Sequence, residues 1–489
     1  MVNAKTMFIF PDRTEDRYIL AVTDFGICAV LALIVAAAAV YALYLLIRKR
    51  NEKGRPLFEV IKCGLVYLPV ILIAMAIKLP GGYLTNDEYS ILNDATHLIH
   101  DTWFNYMTVY YYIVSLMLVP ARYGPIIVKA VIEFFVVGYT VYRTKEYYGK
   151  RCGMAMYILF LLYPVIAYTT SAHRLPIYFL VYLALFVKLL FDYLEKKPCG
   201  RSVVFVLIAG AVLTQWRTEG IYLLVLIPIL MLIVYREFRS PKKVAVMILA
   251  YIAIQYVLWI PQNGAMASGL DNAANDRMKP FYAYTITNMY RNGLDLDKNA
   301  ADLETVDRYL SLDVVKAISE HYGDINYEDV LILYADGFTG VRPEATDNDF
   351  YEYTKALKRI FVNNPDVFLR TRWGAFRYAA RPYSIVPPDG GIRGLASSAV
   401  SVVKTVTYNL FIPVLFAFGV LCYSLIRRKW YSFFVFGGLA AHWFIVFILA
   451  PASYFKYYFP VYIMSYFYAI LILVRPVLCK DRERSYPVV

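Results

Sequence analysis

The sequence predicts an all-α polytopic membrane protein: a transmembrane bundle of about 11 spans, juxtamembrane helices and one mainly helical extracytoplasmic domain. Three observations carry this. Hydrophobic residues make up 60% of the chain, only 18% is charged, and the mean hydropathy is +0.49. A soluble chain is nearer half apolar and a quarter charged. Apolar runs near the roughly 20 residues needed to cross a bilayer recur along the sequence. The positive charge sits in short clusters between those runs, for example Arg143, Lys145, Lys150 and Arg151, or Arg427, Arg428 and Lys429.

Those clusters explain the net charge of +13. Lys and Arg concentrate in cytoplasmic loops, so they report topology and do not point to a nucleic-acid partner. Spans are expected at 19–47, 58–77, 123–142, 152–169, 176–194, 201–215, 220–235, 244–260, 402–426, 430–450 and 455–475. Keeping every basic cluster inside places the N-terminus outside and the C-terminus in the cytoplasm. The first span is too long for a cleavable signal segment. No eukaryotic sorting signal is present, which points to a bacterial plasma membrane. Five of the six cysteines fall at or near the expected cytoplasmic side and Cys28 within a span; the large outside loop has none, so no disulfide framework supports it.

The expected domains are an extra N-terminal span and loop (1–57), a core of spans with an outer juxtamembrane loop (58–260, loop 78–122), an extracytoplasmic domain (261–401) and a C-terminal span set with a cytoplasmic tail (402–489). Thr102 to Leu118 is apolar enough to span, but that would turn Arg143–Arg151 outward. Residues 89–118 are therefore read as helices at the outer interface, with Ile91, Leu92, Ala95, Leu98, Ile99 and Trp103 at helical spacing. In the water-facing domain, Ala300–Glu320 reads as one helix. Asn364-Pro365 reads as a helix start with an Asn cap and Pro at the first position.

Chemistry concentrates at Asn86-Asp87-Glu88, two acids directly after a span. Thr85-x-x-Glu88 is a capping box, and Asp87 at a helix start suits the macrodipole. A carboxylate at the lipid boundary also suits a general base toward a hydroxyl, so Glu88 can cap while Asp87 reacts. Arg174, Arg217 and Lys456 fall on the same outer side, where basic residues are disfavoured. Snorkelling, or pairing of Arg217 with Glu219, accounts for them structurally; neutralising a departing phosphate accounts for them functionally. His97 and His100 share a helix face with Asp94 and Asp101, and His-x-x-His there reads as a polar face rather than a metal site. The 46 tyrosines suit membrane interfaces first and sugar stacking second.

This arrangement resembles the GT-C superfamily of integral-membrane glycosyltransferases, such as protein O-mannosyltransferases and aminoarabinose transferases. Three stretches carry the resemblance: Asn86-Asp87-Glu88 after a span, Tyr106-Met107-Thr108-Val109-Tyr110-Tyr111-Tyr112 at the place of a juxtamembrane helix, and Lys456-Tyr457-Tyr458-Phe459-Pro460 opening a late span. Relatives more often begin the second stretch with His-Pro-Pro or Lys-Pro-Pro, and carry Arg where Lys456 stands. The resemblance implies transfer of a hexosyl or pentosyl unit, with inversion, from a polyprenyl-phosphate donor to a hydroxyl on a glycan, lipid or protein. Asp87 and Glu88 would be the catalytic acids, and Arg174, Arg217 and Lys456 would hold the donor phosphate. His97, His100, Tyr106, His173, Glu219 and Tyr457 would line the substrate. No cofactor is required; a monophosphate donor makes a divalent metal dispensable. The rival readings are a surface-glycan polymerase or ligase relying on the Arg370–Arg381 cluster, a lipid-linked glycan flippase, and a non-catalytic assembly subunit.

Overall fold

The computed structural model describes residues 7–48, 55–78, 86–169, 174–196, 200–264, 266, 278–322, 325, 328–333, 340–387 and 391–478. Every regular element among them is helical; the single β contact is an isolated bridge between Leu310 and Val341. The protein is a multi-pass helical membrane protein. Eight helices among the described residues are long and apolar enough to cross a bilayer: Tyr18–Ile47, Pro56–Ile77, Gly124–Tyr148, Leu175–Glu195, Pro241–Asn263, Gly394–Ile426, Trp430–Leu449 and Phe455–Leu473. A ninth candidate, Lys150–Leu161 with Tyr163–Thr169, is bent by 67°. Two of the 11 expected spans fall short. The run at 201–215 is a helix of 17 residues, and the run at 220–235 is divided between a 3-10 turn and a 12-residue helix.

The chain divides into two compact units. The first comprises Met1–Gly269, Phe411–His442 and Phe459–Val489. It contains α1 (Tyr18–Arg48), α2 (Arg55–Lys78), α3 (Asn86–Thr96), α4 (Tyr106–Leu118), α5 (Gly124–Tyr148), α6 (Lys150–Ala155), α7 (Tyr157–Leu161) and α8 (Tyr163–Thr169). It continues with α9 (Leu175–Glu195), α10 (Gly200–Trp216), α11 (Leu223–Val234) and α12 (Pro241–Asn263).

Within this unit α9 is the central post: Leu180, Tyr182, Leu183, Leu185, Phe186, Leu189 and Leu190 are fully buried. By contrast, α1 exposes Ile19, Val30, Leu33, Ile34 and Val40, as a helix does when lipid is its main neighbour. Helices α2 and α5 touch backbone to backbone. A Cβ on Gly138 would lie 2.3 Å from the Val60 carbonyl oxygen, so only glycine permits the crossing. Cys28, Cys63 and Cys422 are free thiols, whereas Cys152 at the start of the bent pair is disulfide-bonded.

Helices α3 and α4 bear on the interfacial reading of 89–118. At 13 residues, α4 reaches only about 20 Å. Its first turn is fixed by Asn105, whose Oδ1 accepts from the Met107 N–H at 3.0 Å while its Nδ2 donates to the Gln215 carbonyl at 2.9 Å. These two bonds hold Asn105 at φ 71°, a region that Asn tolerates better than most residues.

The second unit comprises Leu270–Leu410 and Trp443–Tyr458. It holds α13 (Lys279–Arg291), α14 (Ala300–Asp307), α15 (Leu312–His321), α16 (Asp347–Asn363), α17 (Pro365–Ala380) and α18 (Gly391–Thr407). Its core includes Ile286, Val306, Leu310, Val315, Leu357 and Ile360. Two local expectations are corrected here. Ala300–Glu320 is two helices, because the backbone of Ser311 and Arg342 bonds across to Gly340 and Tyr309 and breaks the run. Helix α17 does start at Pro365, but the Asn364 side chain does not cap it; its amide donates to Asn299 at 2.9 Å and to the Ile360 carbonyl at 2.8 Å.

Completing the first unit, α19 (Phe411–Ile426) is followed through a short turn by α20 (Trp430–Leu449, up to His442), and α21 (Phe459–Leu478) packs against α9 and α19.

Candidate active site

The site is assembled at one end of the first unit, where α3 begins, α9 begins and α10 ends. Asp87 and Glu88 occupy the first turn of α3. Arg174 immediately precedes α9, whose Pro176 suits the first helical turn. Its Nη1 donates to Asp87 Oδ2 at 2.9 Å and to Glu88 Oε1 at 3.2 Å, and its backbone N–H also reaches Glu88 Oε1, at 3.4 Å. The two acids differ in setting: the Glu88 side chain is 0% exposed and the Asp87 side chain 44%. Glu88 therefore serves as the buried anchor for Arg174, while Asp87 keeps carboxylate surface open. Thr85, the expected partner in a capping box, lies outside the described residues.

The central carbon of the Arg174 guanidinium lies over the Phe104 ring, 4.3 Å from its centroid, a cation–π arrangement. Both ion pairs use Nη1; Nε and Nη2 donate to no described residue. The result is a cation fixed on one side by two carboxylates and an aromatic face, with two donor nitrogens unused among the described residues.

Arg217 follows α10 and stands before the 3-10 turn Thr218–Tyr222. Its Nε donates to Glu219 Oε1 at 2.6 Å, so the expected pairing of these two is present. Gly220 lets this turn close on α10, since a Cβ there would sit 2.4 Å from the Leu213 carbonyl oxygen and 3.1 Å from the Tyr178 hydroxyl. Tyr178 lies one helical turn after Arg174 on α9 and within electrostatic reach of both Arg217 and Glu219. Its hydroxyl is buried with no hydrogen-bond partner among the described residues. Tyr178 thus sets the first turn of α9 near the Arg217–Glu219 pair. On the other flank, the Arg122 guanidinium lies 5.5 Å from the centroid of the Tyr89 ring, beside the two acids in α3.

Three residues expected on substrate are committed to protein contacts. His100 is buried, with Nδ1 2.8 Å from Asp24 Oδ2 and Nε2 2.6 Å from the Pro261 carbonyl oxygen. Tyr106, also buried, donates its hydroxyl to the Leu258 carbonyl at 2.9 Å and its N–H to Gln262 at 3.1 Å. His97 places Nδ1 2.9 Å from the Asn93 carbonyl oxygen. The first two tie the α3–α4 segment to α1 and α12, an architectural task. His173 lies outside the described residues. Lys456 and Tyr457 belong to the second unit, where Lys456 Nζ lies 4.6 Å from the centroid of the Tyr454 ring. No group of three or more His, Cys, Asp or Glu among the described residues could hold a metal ion.

Comparison with protein-family models, with curated proteins and with solved structures finds no match.

Sequence reasoning missed Phe104, Arg122, Tyr178 and Asp24. Tyr178 was within reach, being four residues from Arg174 and so on its helical face. Asp24 carried a plainer signal: it is the only carboxylate in Tyr18–Arg48, and an acid inside a span marks a functional or tightly paired position. Phe104 and Arg122 had no local signal.

Proposed function

We propose that this rim is the active site of a glycosyltransferase that uses a sugar linked to a polyprenyl phosphate. The supporting observation is Arg174, held by the contiguous acids Asp87 and Glu88, with Nε and Nη2 donating to no described residue. A phosphate oxygen is the natural acceptor for a guanidinium so presented. The resemblance of Asn86-Asp87-Glu88 to the GT-C pattern supplies the reaction class.

In this reading an acceptor hydroxyl attacks the anomeric carbon from the face opposite the phosphate. The new C–O bond forms as the bond to the phosphate oxygen breaks, the polyprenyl phosphate leaves with that electron pair, and Asp87 takes the hydroxyl proton. Configuration inverts. Arg174 and Arg217 stabilise the charge gathering on the departing phosphate. Glu88 is a positioning residue, acting through Arg174. Lys456 and Tyr457 enter on sequence grounds alone, as does the extracytoplasmic orientation of this end. That orientation rests on Arg143, Lys145, Arg236, Arg427, Arg428 and Lys429 lying toward the other ends of the helices. The disulfide at Cys152 points the other way, because disulfides persist in oxidising compartments.

The test is Asp87→Asn in cells and in purified membranes. Lipid-linked sugars and surface glycans are compared by mass spectrometry at matched protein abundance. A base assignment predicts a loss of transfer of about 100-fold or more, with donor accumulating. Full transfer by the folded variant would sink it.

A further inference from the structure

A second site lies at the far end of α9. Arg174 stands before the first residue of that helix and Tyr193 lies in its last turn, about 28 Å away along the axis. There a cavity of about 390 Å³ opens among Tyr193, Arg236, Arg428, Lys429, Trp430 and Phe434. Three of these six are cations, and no acid lines the cavity. Arg236 and Arg428 are exposed and Lys429 is half-buried, so their charges are solvated yet together favour an anion seated among them. None of the ion pairs between described residues uses Arg236, Arg428 or Lys429.

The backbone fixes this arrangement. Arg428 adopts φ 55° at the end of α19, and the Lys429 N–H donates to the Ser424 carbonyl at 2.9 Å. That left-handed turn closes α19 and starts α20 within three residues. In α20 the Phe433 N–H is already bonded to the Lys429 carbonyl, so the N–H groups of Trp430, Tyr431 and Ser432 precede the internal ladder. They add partial positive charge to a cavity already lined by cations. Tyr193 and Tyr431 stack at 4.5 Å with an interplanar angle of 8°, which makes one wall rigid.

The surroundings specify the kind of anion. Trp430 is 52% exposed at the junction of two spans, the position of an interfacial aromatic anchor. Leu425 and Ile426, just before the turn, are exposed apolar residues with lipid as their natural neighbour. Phe434 and Ile233, also in the lining, extend the cavity with apolar surface. A cationic pocket at the water boundary with an apolar flank suits one class of ligand. We propose that this cavity seats the phosphate of an anionic phospholipid headgroup, with the acyl chains running along α19 and α20. The site is separate from the rim of Asp87 and does not depend on the proposed reaction.

The test is direct lipid binding by the full-length protein. Purified protein is delipidated in neutral detergent and titrated with phosphatidylglycerol or phosphatidylcholine, read by native mass spectrometry and by Trp430-sensitive fluorescence. The variants are Arg236→Gln with Lys429→Gln, leaving the Arg428 turn intact, and Arg427→Gln, which removes a charge from the same turn but not from the cavity lining. The site predicts a preference for phosphatidylglycerol of about tenfold or more. It predicts a loss of about fivefold per lining cation removed, and a change under about twofold for Arg427→Gln. Melting without added lipid should match among the folded proteins. Equal loss in Arg427→Gln, or no loss in the double variant, overturns the proposal. So does full displacement of lipid by millimolar inorganic phosphate or glycerol phosphate, which would reassign the cavity to a soluble phosphate compound.

Discussion

His100 Nδ1 lies 2.8 Å from Asp24 Oδ2, joining the segment before α4 to the first span. The other ring nitrogen lies 2.6 Å from the Pro261 carbonyl oxygen. Both ring nitrogens therefore face acceptors, and only the doubly protonated imidazolium can donate to each. Burial works against that charge, but the hydrogen bond and charge of Asp24, together with the Pro261 carbonyl, outweigh it and raise the His100 pKa above 6.5. The sign follows. Stability from a group whose folded pKa is raised is complete below its unfolded value and is lost as pH rises through the folded one. Hydrogen exchange across 97–105 should therefore quicken as pH climbs above 6.5, beyond the intrinsic rise of an unstructured peptide, and His100→Gln should flatten that dependence. Asp24→Asn, which removes one partner of a buried pair, should cost about 3 kcal/mol. A protection profile independent of pH in the native protein would refute the imidazolium assignment.

Asp94 supplies a second titration in α3. Burial, followed by the charge of Asp101, pushes its carboxyl up to about 6. The neutral acid is favoured by the fold, so stability at this position is present at low pH and lost as pH rises through about 6. Asp94→Asn should match the native protein only below the unfolded carboxyl value of 3.8 and protect α3 better at about pH 8. Hydrogen exchange of 86–96 measures both conditions, and equal protection at the higher pH would contradict the argument.

Glu88 and Arg174 should separate by kinetics. Arg174→Lys keeps a positive charge but loses the planar fork and the Phe104 contact. It should impair donor use more than folding, raising the donor KM by about tenfold or more. Arg174→Ala leaves Glu88 buried without its guanidinium and should also destabilise the protein, by about 3–5 kcal/mol. Glu88→Gln retains an acceptor for the Arg174 backbone N–H and should fall between the two. Activity against donor concentration, with thermal melting of each variant, checks the order.

Gly138 tests the packing of the first unit. A Cβ added there would meet the Val60 carbonyl oxygen at 2.3 Å and the Gly64 nitrogen at 3.1 Å, both backbone atoms that cannot rotate aside. Gly138→Ala should cost about 3 kcal/mol through forced separation of α2 and α5. Gly419→Ala, with nothing within 4 Å, is the control and should leave melting nearly unchanged. Equal melting of the two variants would show that the crossing tolerates a wider spacing than this contact implies.

The sequence was legible wherever chemistry is local. Apolar runs identify membrane helices because a bilayer demands about 20 apolar residues and internal backbone hydrogen bonding. Helical spacing of apolar residues anticipated helices in 89–118, where α3, which begins earlier at Asn86, and α4 lie, and the spacing of Arg217 and Glu219 anticipated their pairing. The runs at 201–215 and 220–235 fold as shorter apolar helices, because hydropathy measures composition and not the continuity of a helix; the Arg217–Tyr222 turn and the bend at Leu162 are decided by packing. Arg372 shows the same limit. In sequence it belongs to a cluster of exposed-looking arginines, yet its side chain is buried and donates to the Phe447 and Ala450 carbonyls at 2.8 and 2.6 Å.

What the amino-acid order settled by itself was the solvent of each segment and the presence of two acids at a boundary. Only the tertiary structure decided who meets whom: Arg174 across 87 positions to Asp87, His100 across 76 to Asp24, and Tyr178 beside Glu219. Solvent preference is a property of a stretch of side chains and can be summed along the chain. A pairing between distant charges depends on how whole helices pack, and no local sum contains it.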